Sequence, residues 1–198
     1  SESVIVSTKK VCFMKKIIVL TSVFFLVVFN SNAQAPSNPY FNYKGKLIII
    51  GGGSIPDSLF EFFAAHCGGK DQPVVYIPTA TSDEKYIQEG GHLLKFSSRG
   101  FTNLSTIHTR DKAKADAPEN IALMRKAKGI FFGGGDQDLI AAAYGNTQLY
   151  KEMLALLDRG GVIMGTSAGA TIMGALLVGG DARKDLTKKF PFQPAFSF

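Results

Sequence analysis

The stretch Gly161-Val162-Ile163-Met164-Gly165-Thr166-Ser167-Ala168-Gly169-Ala170-Thr171-Ile172-Met173-Gly174 decides the fold. Val162 to Met164 is a short apolar run suited to a buried strand, and Ala168 to Leu177 is rich in the small and apolar residues of a packed helix. Between them, Gly165-Thr166-Ser167-Ala168-Gly169 reads G-x-S-x-G in a strand-to-helix setting. A tight turn there needs neighbours without bulk, so that the serine hydroxyl stands clear of the sheet. Ser167 is therefore the candidate nucleophile. The plainer reading is a glycine-flanked serine that only turns the chain.

Working outward, the same unit recurs upstream. Leu47-Ile48-Ile49-Ile50 runs into Gly51-Gly52-Gly53, and Asp57 to Cys67 carries Leu59, Phe60, Phe63 and Ala64 at helical spacing. Val74 to Ile77 is a second strand ending at Pro78-Thr79. Ser82 or Asp83 then caps a helix expected to run toward Ser98. Asn103 to His108 reads as a weaker third strand and Pro118 to Ala127 as a helix. Gly129 to Phe132 is a fourth strand, ending in Gly133-Gly134-Gly135-Asp136-Gln137. Two helices follow, over Leu139 to Ala143 and Leu149 to Leu157.

Strands alternating with helices predict an α/β fold, a parallel sheet covered on both faces. Ligands of such sheets sit outside the carboxyl ends of the strands. The turns at Gly51 to Gly53, Thr79 to Thr81, Gly133 to Gln137 and Gly165 to Ser167 all follow strands, so they are expected to converge on one edge. There the amides of Gly134 or Gly135, together with that of Ala168, would form an oxyanion hole for a carbonyl attacked by Ser167. The alternative for the triple glycine is a tight turn and close helix packing.

The amino terminus is read separately. Met14-Lys15-Lys16, the apolar Ile17 to Phe29 and the small-x-small Asn32-Ala33-Gln34-Ala35 form an expected signal peptide over 14–35, cleaved after Ala35. About 13 apolar residues fall short of the roughly 20 that span a bilayer, so no stable membrane anchor is expected after cleavage, and the protein is expected to be exported. Residues 1–13 read as upstream of the true start, 36–45 as a surface lead-in, and 46–198 as the α/β domain. Without residues 1–35, eighteen basic and fifteen acidic residues remain, a net charge of +3 instead of +6. Lys/Arg runs with interleaved aromatics are absent, which argues against a nucleic-acid surface. Cys67 alone then remains, excluding an intrachain disulfide, and its apolar context marks it as a core residue.

Taken together, Ile49-Ile50-Gly51-Gly52-Gly53, Tyr76-Ile77-Pro78-Thr79-Ala80, Gly133-Gly134-Gly135-Asp136-Gln137 and Gly165-Thr166-Ser167-Ala168-Gly169-Ala170 resemble the cyanophycinase family of serine peptidases, related to dipeptidase E. The resemblance runs from about Lys46 to Gly180. It implies a flavodoxin-like fold with the nucleophile elbow after the fifth strand, no metal and no cofactor. It also implies cleavage of aspartyl peptide or isopeptide bonds, β-aspartyl-arginine dipeptides among them, with Ser167 as nucleophile and Asp136 and Gln137 at the substrate pocket.

The resemblance also implies a histidine base and acidic partner after the serine. The residues after Ser167 contain no histidine, so the base is expected beyond Phe198, in a section this chain lacks. Of the upstream histidines, His66 and His92 fall in predicted helices, and His108 ends the third strand at the serine's edge. Asp181 and Asp185 read as solvated loop charges. The competing reading is a noncatalytic domain holding a small anionic ligand at the same edge. Nucleotide binding is disfavoured, because Pro56 stands where G-x-G-x-x-G needs its last glycine. Oligomeric state is left open, a homodimer included.

Overall fold

A computed structural model describes residues 43–178 and 192–198. The expected upstream residues and signal segment, most of the lead-in, Asp181 and Asp185 lie outside the described residues. The apolar runs form strands β1 (Lys46–Ile50), β2 (Val74–Ile77), β3 (Leu104–Thr106), β4 (Gly129–Phe132) and β5 (Val162–Thr166). They make one parallel sheet in the order β1-β5-β4-β2-β3, an α/β flavodoxin-like architecture. β2, β4 and β5 are buried along their whole length, which is why they read as continuous apolar runs and not as alternating ones.

The helices between strands are α1 (Asp57–Cys67), α2 (Glu84–Gln88), α3 (Leu93–Ser97), α4 (Lys112–Ala115), α5 (Pro118–Lys126), α6 (Gln137–Tyr144) and α7 (Gln148–Asp158). The steps β1 to β2 and β2 to β3 move one way across the sheet. Their helices α1 and α3 bury Phe60, Phe63 and Phe96 against Ile48, Tyr76, Phe131 and Met164. The steps β3 to β4 and β4 to β5 move back, and α5, α6 and α7 bury Met124, Ile140 and Leu156 against Val75, Ile130, Phe132 and Ile163 on the other face. Right-handed crossovers impose that coupling of direction to face. The direction reverses after β3, so the loops leaving β2 and β4, neighbours in the sheet, diverge to opposite faces and leave a crevice at their carboxyl ends.

Two elements differ from the sequence reading. The helix expected to open at Ser82 or Asp83 and run toward Ser98 is split into α2 and α3, because Gly90 and Gly91 both take positive φ, 93° and 48°. Asp83 is the cap, accepting the Tyr86 N–H at 2.9 Å. The helix expected over Ala168 to Leu177 is only α8 (Ala168–Thr171), and the chain then turns into β6 (Leu176–Val178), antiparallel to β7 (Phe192–Pro194). The returning tail supplies donors to the carbonyls that end α8: Phe196 N–H to Ile172 O at 2.9 Å, Ser197 N–H to Gly174 O at 2.8 Å and Phe198 N–H to Met173 O at 3.1 Å. Phe196 and Phe198 are buried beside Phe132 and close the α6–α7 face of the core. Leu176 is exposed and Leu177 buried, the period of a strand and not of a helix.

Candidate active site

Ser167 stands at the end of β5 with φ 53° and ψ −117°. Positive φ is uncommon for a residue with a Cβ, and holding it there costs of order 1–3 kcal/mol. The surroundings hold it firmly. Ser167 N–H donates to Ile50 O of β1 at 2.9 Å, and Ser167 O accepts from the N–H groups of Ala170 and Thr171 at 2.9 and 3.0 Å. The flanking glycines are there for packing: a Cβ on Gly165 would overlap the Gly169 carbonyl, and one on Gly169 would overlap the Phe132 carbonyl. The serine is half-buried, and among the described residues nothing hydrogen-bonds its Oγ.

β4 pairs directly with β5, Phe132 opposite Gly165, so its exit turn reaches the serine. A Cβ on Gly134 would lie 3.2 Å from Ser167 Cβ, 3.5 Å from Thr166 O and 3.8 Å from Ser167 Oγ. Any side chain at 134 would therefore fill the space beside the hydroxyl. Gly135, at φ 141°, faces the other way, and its Cβ would overlap the Ala80 carbonyl in the turn after β2. The turn is stitched to that neighbour by Gly133 N–H to Ile77 O, 3.0 Å, and Asp136 N–H to Ala80 O, 2.7 Å. Among the described residues no backbone carbonyl takes the N–H of Gly134, Gly135 or Ala168.

Asp136 and Gln137 have structural partners. Asp136 caps α6, its Oδ1 accepting the Asp138 N–H at 2.9 Å. Gln137 is 5% exposed and donates from Nε2 to Val178 O at 2.6 Å, while its buried Oε1 has no partner among the described residues. The structure thus turns Gln137 into the packing between α6 and β6, away from solvent. A cavity of about 510 Å³ lies on another side of α6, against Ala141, Gly145, Asn146, Tyr150 and Phe196, and includes neither Ser167 nor the glycine turn.

All three histidines are engaged elsewhere. His66 Nδ1 lies 2.7 Å from Phe62 O on α1. His92 Nδ1 meets Tyr86 Oη at 2.8 Å and Tyr76 Oη at 3.3 Å, and burial holds its pKa down at about 4. His108, at the serine's edge as expected, follows β3, which is three strand spacings, roughly 14 Å, from β5. Its Nδ1 shares a 3.1 Å hydrogen bond with the fully buried Thr79 hydroxyl, which also meets Tyr144 Oη at 2.6 Å. Its Nε2 faces Glu84 at 3.6 Å. Burial lowers the His108 pKa, Glu84 opposes that shift, and Arg110 adds to it. His108 thus braces the turn after β2 and does not reach Ser167. Sequence reading missed both hydroxyl–imidazole clusters, since contacts 16 and 29 residues apart leave no local pattern.

A strained serine at the end of a parallel strand, with a side-chain-free turn of the adjacent strand against it, gives the chain the strand–elbow–helix geometry of a G-x-S-x-G α/β protein. Residues 47–194 match Peptidase family S51, and the chain belongs to that family. It is 30% identical to the cyanophycinase of Geminocystis herdmanii (strain PCC 6308) over 143 residues, 69% of this chain and 52% of that one. It is 27% identical to the cyanophycinase of Synechococcus elongatus over 146 residues, covering 72% and 45%. The chain therefore spans about half the length of the curated relatives it matches. Its fold is similar to that of a peptidase from an acI-B1 Actinobacterium, with a TM-score of 0.61 at 24% identity over 76% of this chain and 63% of that one.

Proposed function

We propose that this chain carries the nucleophile and oxyanion portion of an exported serine peptidase that hydrolyses peptide or isopeptide bonds beside aspartate, β-aspartyl-arginine bonds included. The observation that carries the reading is the contact of Gly134 with the strained Ser167. Ser167 Oγ attacks the scissile carbonyl and its proton passes to a base. The oxyanion is held by the amides of Ala168 and of Gly134 or Gly135. The carbon–nitrogen bond then breaks, the amine leaves with the proton, and water releases the acyl group from Ser167. A base is required, because a serine hydroxyl stays protonated at neutral pH without one. Family membership and the names of the relatives support the substrate class, and the Met14 to Ala35 pattern supports export.

A second reading, ligand binding without turnover, is favoured by one observation, the engagement of all three histidines away from Ser167. The test is covalent labelling with a fluorophosphonate, read by intact mass, on this chain and on the full product of its gene. Labelling that disappears in Ser167→Ala supports the peptidase. A full gene product that stays unlabelled and still binds a β-aspartyl dipeptide sinks it in favour of binding.

A further inference from the structure

Tyr76, the third residue of β2, lies on the α1 face and stacks on Phe131 with ring centroids 5.8 Å apart. Its hydroxyl reaches the end of the neighbouring strand. A Cβ on Gly133 would lie 3.3 Å from Tyr76 Oη, and one on Gly91 would lie 3.1 Å from it. His92, which caps α3, brings Nδ1 to the same hydroxyl at 3.3 Å and to Tyr86 Oη at 2.8 Å, while its ring rests 5.2 Å from that of Phe131. One imidazole nitrogen thus faces two phenol hydroxyls, and it can serve only one of them fully, Tyr86 being the closer. The Tyr76 hydroxyl lies between Nδ1 and the side of Gly133 on which a Cβ would meet it. Gly133 is tied to Ile77 O, and the next residue is the glycine against Ser167.

We infer that Tyr76 and His92 are positioning residues: the Tyr76 hydroxyl, held by His92, sets the height of Gly133 and Gly134 against Ser167. The functional meaning of that height rests on the Ser167 peptidase reading. The coupling itself does not. Neither residue touches a reacting atom. The titratable and charged groups around His92 are Tyr76 from β2, Tyr86 from α2 and Lys95 from its own helix, with apolar Phe131 of β4 completing the shell. Burial first, then Lys95, keeps the ring neutral down to a pKa of about 4, and burial raises the Tyr76 hydroxyl to about 12. The pair is therefore uncharged across the neutral range. Protonation leaves Nδ1 a donor only, so a hydroxyl that donates to it in the neutral form must reorient.

The experiment is glycine-selective ¹⁵N spectroscopy of the full chain. Between pH 7 and 3.5 the Gly133 and Gly134 amides should move with the His92 ring, at a common midpoint near 4, while Gly160, whose Cβ position is open, stays fixed. Tyr76→Phe should abolish the movement of the amides and leave the titration of His92 in place. At pH 7, Tyr76→Phe should shift Gly134 more than Tyr86→Phe does, and this comparison decides the matter if the fold melts before pH 4. A Gly134 amide indifferent to the Tyr76 hydroxyl overturns the inference. In whichever form reacts with fluorophosphonate, Tyr76→Phe should slow the bond-forming step about tenfold at unchanged half-saturation, the effect of a fraction of an ångström at the oxyanion turn. Ser167→Ala should leave the amide coupling intact, so failure of the nucleophile reading appears in the labelling alone.

Discussion

Gly169→Ala tests whether the elbow's second glycine is there for contact and not for conformation. Gly169 lies inside α8 and its φ is not among the positive ones, so alanine fits the backbone. The obstacle is β4. The new methyl would overlap the Phe132 carbonyl oxygen and sit 2.7 Å from Phe132 Cβ, so α8 must retreat by about 1 Å for the oxygen, the nearer of the two, to reach 3.4 Å, ordinary contact. It cannot rotate freely to do so, because the Gly169 carbonyl already fills the space where a Gly165 Cβ would be. Overpacking of this kind costs about 1–3 kcal/mol, and alanine returns up to about 1 kcal/mol of helix propensity over glycine. A net loss of about 1–2 kcal/mol lowers Tm by roughly 2–8 °C in a domain of this size. The same retreat carries the Ala168 amide away from the Gly134 turn, and a misplacement near 1 Å costs about 10²-fold in rate. Thermal melting and the rate of fluorophosphonate labelling, measured together, should show a modest stability loss beside a large reactivity loss. Gly174→Ala, whose methyl would find only contacts of 3.5 and 3.6 Å, should change neither. The packing argument is refuted if Gly169→Ala labels at the parent rate, or if Gly174→Ala behaves like it.

Three further outcomes follow from the packing. Burial pushes the Cys67 thiol up to about 12, so a thiol reagent at pH 8, read by peptide mapping, should leave Cys67 unmodified in the folded protein and react with it promptly in denaturant; rapid reaction of Cys67 in the folded form would contradict a closed α1 face. Phe196→Ala removes a ring packed 5.0 Å from Tyr150 and 5.3 Å from Phe198, which should cost about 3–5 kcal/mol in urea unfolding; a loss under about 1 kcal/mol would mean the tail is not part of the core. Glu152 Oε1 accepts from Arg125 at 2.9 and 3.0 Å and from Gln148 at 3.1 Å, and Arg125 foremost lowers its pKa. A carboxyl depressed in the folded state contributes stability above its ordinary range and loses it as pH falls through the folded value. Glu152→Gln should therefore flatten the acid limb of the stability profile, and an unchanged slope there would show the pair to be inert.

What could be read from the sequence was what one strand and its following turn determine. Val162 to Met164 and Gly129 to Phe132 are buried on both faces, so their apolar runs needed no partner to be recognised, and parallel pairing then forced their turns onto one edge. What depends on distant partners could not be read. The apolar stretch after Ser167 is short of a helix because Phe196 to Phe198, more than twenty residues on, supply the donors that end α8. Gln137 is drawn inward by Val178 O, 41 residues away, and His108 by Thr79, 29 residues away.

The triple glycine shows the limit most clearly, since three identical residues do three different things. Gly133 makes room for the Tyr76 hydroxyl, Gly134 for Ser167, and Gly135 for the Ala80 carbonyl. A turn that merely needed flexibility would leave some of these directions open. Here each missing side chain is replaced by a different neighbour, from β2, β5 and the turn after β2. The glycines therefore fix the turn instead of loosening it, and the proposed oxyanion role calls for donors fixed in this way, which stabilise developing charge without reorganisation at the moment of attack.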